Sequence, residues 1–371
     1  MRIVHLADVH LDRRFVGMPL PGAKKRRAEL KEAFRRCLAV AREQGAEAVT
    51  IGGDLWEDEH VTADTRNFVA DELRQLPCPV LLIGGNHDPL LAGGNHLRTP
   101  WPESVRLFRT DQPTEERLGE VSIWGVSWTG GNLTSGFLDT FRVPDDGRTH
   151  LLLLHGTSRN VPAYLTGGVA YCSFTPEAVR RAGFALCLSG HIHAASIDGV
   201  VVYPGSPEPL GWGEMGMHAV AVADVGTEGC EARLVEVNRR RYLERRVGCA
   251  EATSSAAVEE AVARALNDPE PAATCLRLEL VGQISADCEI DGEALVARHR
   301  AAYAELVVRD LTTPAYDYAS LARQPTAVGR FVKILTERLD ASEGEEREVV
   351  ELALIAGLRA VAGRKDVLHV D

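Results

Sequence analysis

The chain has 371 residues, 45% hydrophobic and 25% charged, with 41 Lys and Arg against 53 Asp and Glu for a net charge of −12. That length exceeds one ordinary hydrophobic core and predicts a large domain with a smaller one after it. An acidic chain is poorly suited to non-specific nucleic-acid binding, and the absence of any apolar run as long as a signal-peptide core or membrane span leads us to expect a cytoplasmic protein with no membrane partner.

In chain order, residues 3–7 read as a short strand, and residues 28–44 have helical spacing, with Leu30, Phe34 and Leu38 inward. Residues 48–51, 80–83, 121–126, 151–154 and 185–188 are short apolar runs closed by polar or glycine turns, and 200–203 and 218–225 resemble closing strands. Such runs, separated by helices or loops, predict the buried strands of an α/β sandwich. Composition shifts near Arg239 to Arg246. Beyond it, residues 275–281 alternate apolar and charged like a strand with one wet face, and Val328, Phe331, Val332, Leu335 and Leu339 share a helical stripe. Ser342 and Glu345 predict a capping box for a final helix that runs to Val361 and stops at Gly363. The expected division is residues 1–238 and a small α+β domain over 250–371.

Eight cysteines stand singly with no C-x-x-C pair, which predicts reduced thiols and no cysteine-bound zinc. Two basic clusters run against the acidic average. One is Lys24-Lys25-Arg26-Arg27 with Lys31, Arg35 and Arg36, and the other is Arg239-Arg240-Arg241 with Arg245 and Arg246. Each reads either as a solvated helix or linker face or as a nucleic-acid patch.

The residues suited to chemistry stand where the apolar strands give way to loops. The first strand delivers Asp8-Val9-His10, whose i,i+2 spacing aims both side chains to one side. The next deliver Gly53-Asp54, Gly85-Asn86-His87-Asp88, His155-Gly156 and Gly190-His191-Ile192-His193. One such histidine alone is an ordinary polar residue at a strand end; five ordered blocks are a metal site. Imidazole, carboxylate and amide ligands together suit Mn, Fe or Zn, and Mg less well. Two ions roughly 3.5–4 Å apart can hold the attacking and leaving oxygens of an in-line phosphoryl displacement. His87 is not needed as a ligand and would donate a proton to the phosphate or the leaving oxygen, with Asp88 fixing its tautomer. Gly93-Gly94-Asn95-His96 repeats the G-G-N-H string without the Asp and without a strand leading in, so Asn95 and His96 are expected in a loop near the site, at best touching substrate. His5 is expected in the core, and the 203–207 segment Tyr-Pro-Gly-Ser-Pro is either a plain turn or a loop lining the substrate groove.

The ordered set D-x-H, G-D, G-N-H-D, H-G and G-H-x-H resembles the calcineurin-like metallophosphoesterase superfamily over roughly residues 1–235. The resemblance implies a four-layer α/β sandwich with a smaller C-terminal α+β capping domain. It implies one metal on Asp8, His10 and His193, another on Asn86, His155 and His191, and Asp54 bridging them. Mn2+ is the ion first expected, ahead of Fe or Zn.

Within that superfamily the chain is similar to SbcD-like DNA repair exonucleases. The likeness rests on the opening run through His10-Leu11-Asp12, on Gly53-Asp54-Leu55-Trp56, and on a C-terminal unit containing Leu306 to Thr312. It implies a DNA substrate, 3′ to 5′ exonuclease and single-strand endonuclease activity, an SbcC-like coiled-coil ATPase partner and a homodimer. Asp12 stands where most SbcD-type proteins have Gly, which suggests a YhaO-type branch, and Glu57 stands where some relatives carry a His. No phosphate loop of the G-x-x-x-x-G-K-[ST] type is present, so ATPase activity would come from the partner. A phosphodiesterase of nucleotides or other small phosphoesters is the alternative, and a non-catalytic binding subunit is a third.

Overall fold

The computed structural model describes residues 1–131, 133, 135–162, 171–250 and 252–361. These form two compact units, Met1–Tyr242 and Leu243–Asp371.

The first unit holds two six-stranded sheets. One is built from β1 (Arg2–Leu6), β2 (Ala48–Gly52), β3 (Val80–Ile83), β4 (Val105–Leu107), β11 (Ala219–Gly226) and β12 (Gly229–Glu236), in the order β12-β11-β1-β2-β3-β4. The other is built from β5 (Thr114–Leu118), β6 (Val121–Val126), β7 (Thr149–His155), β8 (Leu186–Gly190), β9 (Ser196–Asp198) and β10 (Val201–Tyr203), in the order β5-β6-β7-β8-β10-β9. Strands β1 to β4 are parallel, as are β6, β7, β8 and β10, while β11, β12, β5 and β9 pair antiparallel at the flanks.

Alternation along the strands explains the layering. In β3, Val80 and Leu82 join Leu30, Phe34 and Leu38 of helix α1 (Leu20–Glu43), whereas Leu81 and Ile83 meet Leu151, Leu153 and Leu188 of the other sheet. On the far side of the second sheet, Leu152 and Leu154 pack with Val179 of the helix Pro176–Arg181. Three apolar layers thus separate helix, sheet, sheet and helix, a four-layer α/β sandwich. Each fully buried leucine in them contributes roughly 1.5–3 kcal/mol relative to exposure.

Parallel strands that share a direction bring their C-terminal ends to one edge. The ends of β2 and β8 approach so closely that a Cβ on Gly190 would strike the Gly52 carbonyl oxygen, and one on Gly52 would lie 2.8 Å from the His5 ring. His5 is buried between the sheets, bonded to Thr50 Oγ1 at 2.9 Å and to the Ser189 carbonyl at 3.2 Å.

Helix α1 starts at Leu20, eight residues before the expected 28–44 segment. Pro21 in the first turn is no breaker there, because its missing N–H is one the helix leaves unpaired anyway. Strands β5 and β12 carry no apolar run to mark them in the sequence, and none of their residues is fully buried.

The second unit contains the sheet of β13 (Arg241–Gly248), β14 (Thr274–Ser285) and β15 (Glu305–Ala315), with β14 and β15 parallel from Cys275↔Glu305 to Ser285↔Ala315. Leu276, Leu278 and Leu280 share a core with Val258 and Val262 of the helix Ser255–Ala265. The helices Ala327–Ala341 and Gly344–Val361 pack through Val332, Leu354 and Leu358. The expected Ser342–Glu345 capping box is absent: Ser342 Oγ turns back and donates to the Arg338 carbonyl, closing the preceding helix. The expected stop at Gly363 lies outside the described residues. No helix among the described residues is long and apolar enough to cross a membrane.

Candidate metal centre

The structure brings Asp8, His10, Asp54, Asn86, His155, His191 and His193 together at the shared strand edge. Three sets have ligand atoms within 4.8 Å of one another: Asp8, His10 and His193; His10, Asp54 and His87; Asp54, His155 and His191. Asp54 is common to the second and third, with Oδ2 at 3.3 Å from His155 Nε2 and 3.8 Å from His10 Nε2. Asn86 Oδ1 lies 3.0 Å from His155 Nε2 and 3.1 Å from His191 Nδ1.

The backbone is strained to achieve this. Among the described non-glycine residues with positive φ are Asp8 (54°), His10 (50°), Asp54 (52°) and His191 (92°), all of them in this cluster. Each such conformation costs about 1–2 kcal/mol and persists only where the surroundings over-determine it. The surroundings here are amide contacts. Asp8 N and His10 N donate to the carbonyls of Gly53 and Asp54, and Asp8 carboxylate oxygens accept from His191 N at 2.9 and 3.0 Å.

Asp88 belongs to this scaffold, which corrects the expectation that it orients His87. It is wholly buried and accepts from the amides of Asp54 (2.9 Å), Leu55 (2.8 Å) and Gly85 (2.7 Å), tying two ligand-bearing turns together. The partner of His87 is Glu57. Its Oε2 lies 2.8 Å from His87 Nδ1, its Oε1 lies 3.0 Å from His10 Nδ1, and Arg13 Nη1 lies 3.3 Å from that same Oε1. His87 itself is 42% exposed at the mouth of the cluster.

A second carboxylate stands behind His193. Glu214 Oε1 lies 2.7 Å from His193 Nδ1, and Oε2 accepts from Ser206 Oγ at 3.0 Å and from Leu210 N at 2.9 Å. The turn after β10 is therefore neither a plain turn nor a groove lining. Ser206 N donates to the His193 carbonyl, and a Cβ on Gly205 would lie 2.8 Å from Ala195 N, so the turn braces the ligand from behind.

Sequence spacing could not find Glu214, which stands in a loop 21 residues from its partner. Tyr171 was missed as well: it sets its ring edge-on to His191 at 5.2 Å and to Trp128 at 5.7 Å. His96, expected in a loop touching substrate, is buried in a stack with Trp56 (4.4 Å) behind Asp88. Asn95 donates to Asp58. Asp12, with φ of 62°, accepts from the amide of Thr62, the residue capping helix α2 (Ala63–Arg74). A left-handed φ favours glycine, and Asp is among the few side chains that tolerate it.

The donor set fits cations. The outer nitrogens of His10 and His193 donate to Glu57 and Glu214, which leaves two bare Nε2 lone pairs facing each other at 3.1 Å. His155 donates from Nδ1 to the Gly52 carbonyl and turns Nε2 toward the oxygens of Asn86 and Asp54. Acceptors converging on acceptors repel unless positive charge lies between them.

Without an ion, protons supply that positive charge. Burial raises the Asp8 carboxyl above its ordinary range. Burial would raise Asp54 too, but His155 and His10 overcome it and hold the carboxylate low. Burial lowers His155, yet Asp54 and Asp8 outweigh it and push the imidazole up to about 9; burial takes His191 down to about 3. His87 is raised, chiefly by its hydrogen bond to Glu57.

Among known proteins, residues 1–195 match the family model for calcineurin-like phosphoesterases. The chain is 24% identical over 235 residues to the DNA double-strand break repair protein Mre11 of Methanopyrus kandleri, covering 57% of this chain and 49% of that protein. It thus spans about half the length of that relative. The crystal structure of TT1561 of Thermus thermophilus aligns with a TM-score of 0.40 and 14% identity, over 64% of this chain and 98% of that one.

Proposed function

The chain belongs to the calcineurin-like phosphoesterase family, and from that premise we propose that it is a two-metal phosphodiesterase acting on DNA, a 3′ to 5′ exonuclease and single-strand endonuclease subunit of a repair complex. The observation that carries the metal-dependent part is the opposed pair of bare imidazole nitrogens, His10 and His193, each held from behind by a carboxylate. One ion would be held by Asp8, His10 and His193 and the other by Asn86, His155 and His191, with Asp54 between them. Bound there, two divalent ions, Mn2+ in the first instance, supply Lewis acidity and lower the pKa of a water from 15.7 toward about 7.

The chain's own residues do the rest. Glu57 accepts from His87 Nδ1 and raises the pKa of the ring, so that the doubly protonated imidazolium, which also carries a proton on Nε2, is favoured at this exposed position. In hydrolysis the water oxygen forms the new P–O bond, the P–O bond to the leaving group breaks, and the leaving oxygen takes that proton. Arg13 adds a positive charge on the Glu57 side of the site.

Support for DNA as the substrate comes from the likeness to Mre11. An SbcC-like ATPase partner, a homodimer and a capping, partner-binding role for the second unit follow the same reading. One observation favours small phosphoesters instead. In the second basic cluster Arg240 pairs with Glu29, Arg241 with Glu236, Arg245 with Asp268 and Arg246 with Glu279. Four of that cluster's five arginines are thus engaged in ion pairs, Arg239 being the exception among the described residues.

The deciding experiment is Mn2+-dependent hydrolysis of a labelled linear duplex, a single strand and bis-p-nitrophenyl phosphate, by the wild type and His87→Ala. DNA degradation that disappears in the variant while metal content is unchanged supports the nuclease. Hydrolysis of the small ester with no DNA cutting overturns the DNA reading in favour of small phosphoesters.

A further inference from the structure

The two basic clusters differ in how far they are paired. In the second, four of five arginines meet carboxylates, whereas in the first Arg26, Arg35 and Arg36 are paired with Glu29, Glu72 and Glu208, and Lys24, Lys25, Arg27 and Lys31 enter no ion pair among the described residues. Between Arg13 and Arg27 the sequence holds six cations and no carboxylate, in a chain of net charge −12. Two of the six are engaged: Arg13 with Glu57, and Arg26, buried, with Glu29 and the Pro209 carbonyl. Arg14, Lys24, Lys25 and Arg27 enter no ion pair among the described residues, and Arg14, Lys24 and Lys25 are exposed. Leu20, Lys24 and Arg27, at i, i+4 and i+7, share one face of the first two turns of α1.

The same segment carries the two most exposed large apolar side chains of the described residues, Val16 at 91% and Leu20 at 76%. Exposing both beside unpaired cations has no folding benefit. The segment is nevertheless held in place, because Phe15 lies under the Arg26 guanidinium at 5.0 Å from its ring centre. It is also continuous with the metal centre. Arg13 stands three residues after His10 and touches Glu57, which touches His87.

We propose that the segment Arg13 to Arg27 is a strand-binding arm. Arg14, Lys24, Lys25 and Arg27 neutralise backbone phosphates of a nucleic-acid strand leading to the metal centre, and Val16 and Leu20 pack against its bases. The inference rests on the nuclease reading and specifies where that substrate runs. A phosphate track carries affinity without sequence preference, and apolar tips commonly rest on unstacked bases. The arm also resolves how an acidic protein meets a polyanion: the positive charge is local and next to the chemistry.

The test is binding of labelled single-stranded DNA across a salt series, in chelator so that no strand is cut, by the whole chain. The variants are the neutralised set Arg14→Ala, Lys24→Ala, Lys25→Ala and Arg27→Ala in one protein, and Val16→Ser with Leu20→Ser in another. Each lost phosphate contact on a single strand lowers the slope of log affinity against log salt by about 0.7, so four contacts remove roughly 3. The expected result is that loss in the first variant, and weaker binding at an unchanged slope in the second. Hydrolysis of bis-p-nitrophenyl phosphate with Mn2+ should be unchanged in both. Wild-type slopes in both variants would overturn the arm while leaving the nuclease reading standing. A wild type that hydrolyses the small ester but neither binds nor cuts DNA would overturn both. Co-sedimentation of the wild type with anionic phospholipid vesicles, lost in the second variant while DNA binding is kept, would assign the arm to a membrane surface and overturn the proposal.

Discussion

Glu57 and Glu214 each hold a histidine by its outer nitrogen, and they set the tautomer that the centre requires. Carboxylates in this position raise the basicity of a ligating imidazole and fix its ring, and losing one typically costs about 10–100-fold in metal affinity. Glu214→Ala is therefore expected to weaken Mn2+ binding by roughly that factor at one of two sites, read as a split isotherm by titration calorimetry. An unchanged isotherm would show the Glu214–His193 contact (2.7 Å) to be mere packing. Glu57 acts on two rings, so Glu57→Gln should impair the proton donor more than the metals. Cleavage of DNA, whose leaving alkoxide needs a proton, is expected to fall about 10²–10³-fold, while bis-p-nitrophenyl phosphate, whose phenolate leaves unaided, falls far less. Equal losses on both esters would place Glu57 in metal binding alone.

His5 offers a test by pH. Burial lowers its pKa from 6.5 to about 4. As pH falls from 6.5 the unfolded chain takes up the proton first and the folded chain does not, so stability is lost across that window and the loss is complete near pH 4. The maximum is about 3 kcal/mol, since each pH unit between the two values is worth about 1.36 kcal/mol. Metal-free His5→Gln should be less stable than wild type at pH 7 and close to it at pH 4.5, in urea unfolding. Parallel pH profiles would rule out His5 as the source of that acid lability.

At the scale of elements, the site is a set of turns clamped to one another. Strained φ values at Asp8, His10, Asp54 and His191 are held by amide bonds to Asp8 and Asp88 carboxylates, and by glycines that let turns touch. A Cβ on Gly85 would run into the Asp54 carboxylate and lie 2.6 Å from its amide nitrogen. Gly85→Ala is thus expected to displace Asp54, the proposed shared ligand, costing roughly 1–3 kcal/mol of stability and abolishing paired Mn2+ binding. Retention of two ions by the purified variant, measured by elemental analysis, would contradict this. The ligand blocks were legible because each follows an apolar run, and a run that ends in glycine must turn. Asp88 was misread for the same reason: adjacency in sequence suggested His87, but successive residues on a turn point apart, and its carboxylate went to the amides behind.

At the scale of the molecule, the candidate ligands all lie in the first unit, while the second has its own cores around Leu278 and Val332. Anything that binds the folded state alone stabilises it, by about 2.7 kcal/mol at a hundredfold excess over its dissociation constant. Mn2+ should therefore raise the calorimetric transition of the first unit by roughly 5–10 °C, reversed by chelator, and leave a transition of the second in place. A metal-insensitive thermogram would count against the centre as a whole.

Short apolar runs, each closed by glycine or a polar turn, were enough to predict the buried strands of an α/β sandwich and the candidate ligand blocks at their ends, while the four-layer form and the division of those residues between two metals came from the family resemblance. Periodicity and chain punctuation are local, and a strand end is a local event. Which carboxylate stands behind which histidine was decided only in three dimensions, because Glu214 and His193, or Glu57 and His10, meet across loops whose closure leaves no periodic trace. The same holds for charge. Two clusters of similar composition, Lys24 to Arg27 and Arg239 to Arg246, differ because four arginines of the second meet carboxylates, whereas in the first Lys24 and Lys25 are exposed and enter no ion pair among the described residues. A charge count cannot see its counter-ions until the chain has folded.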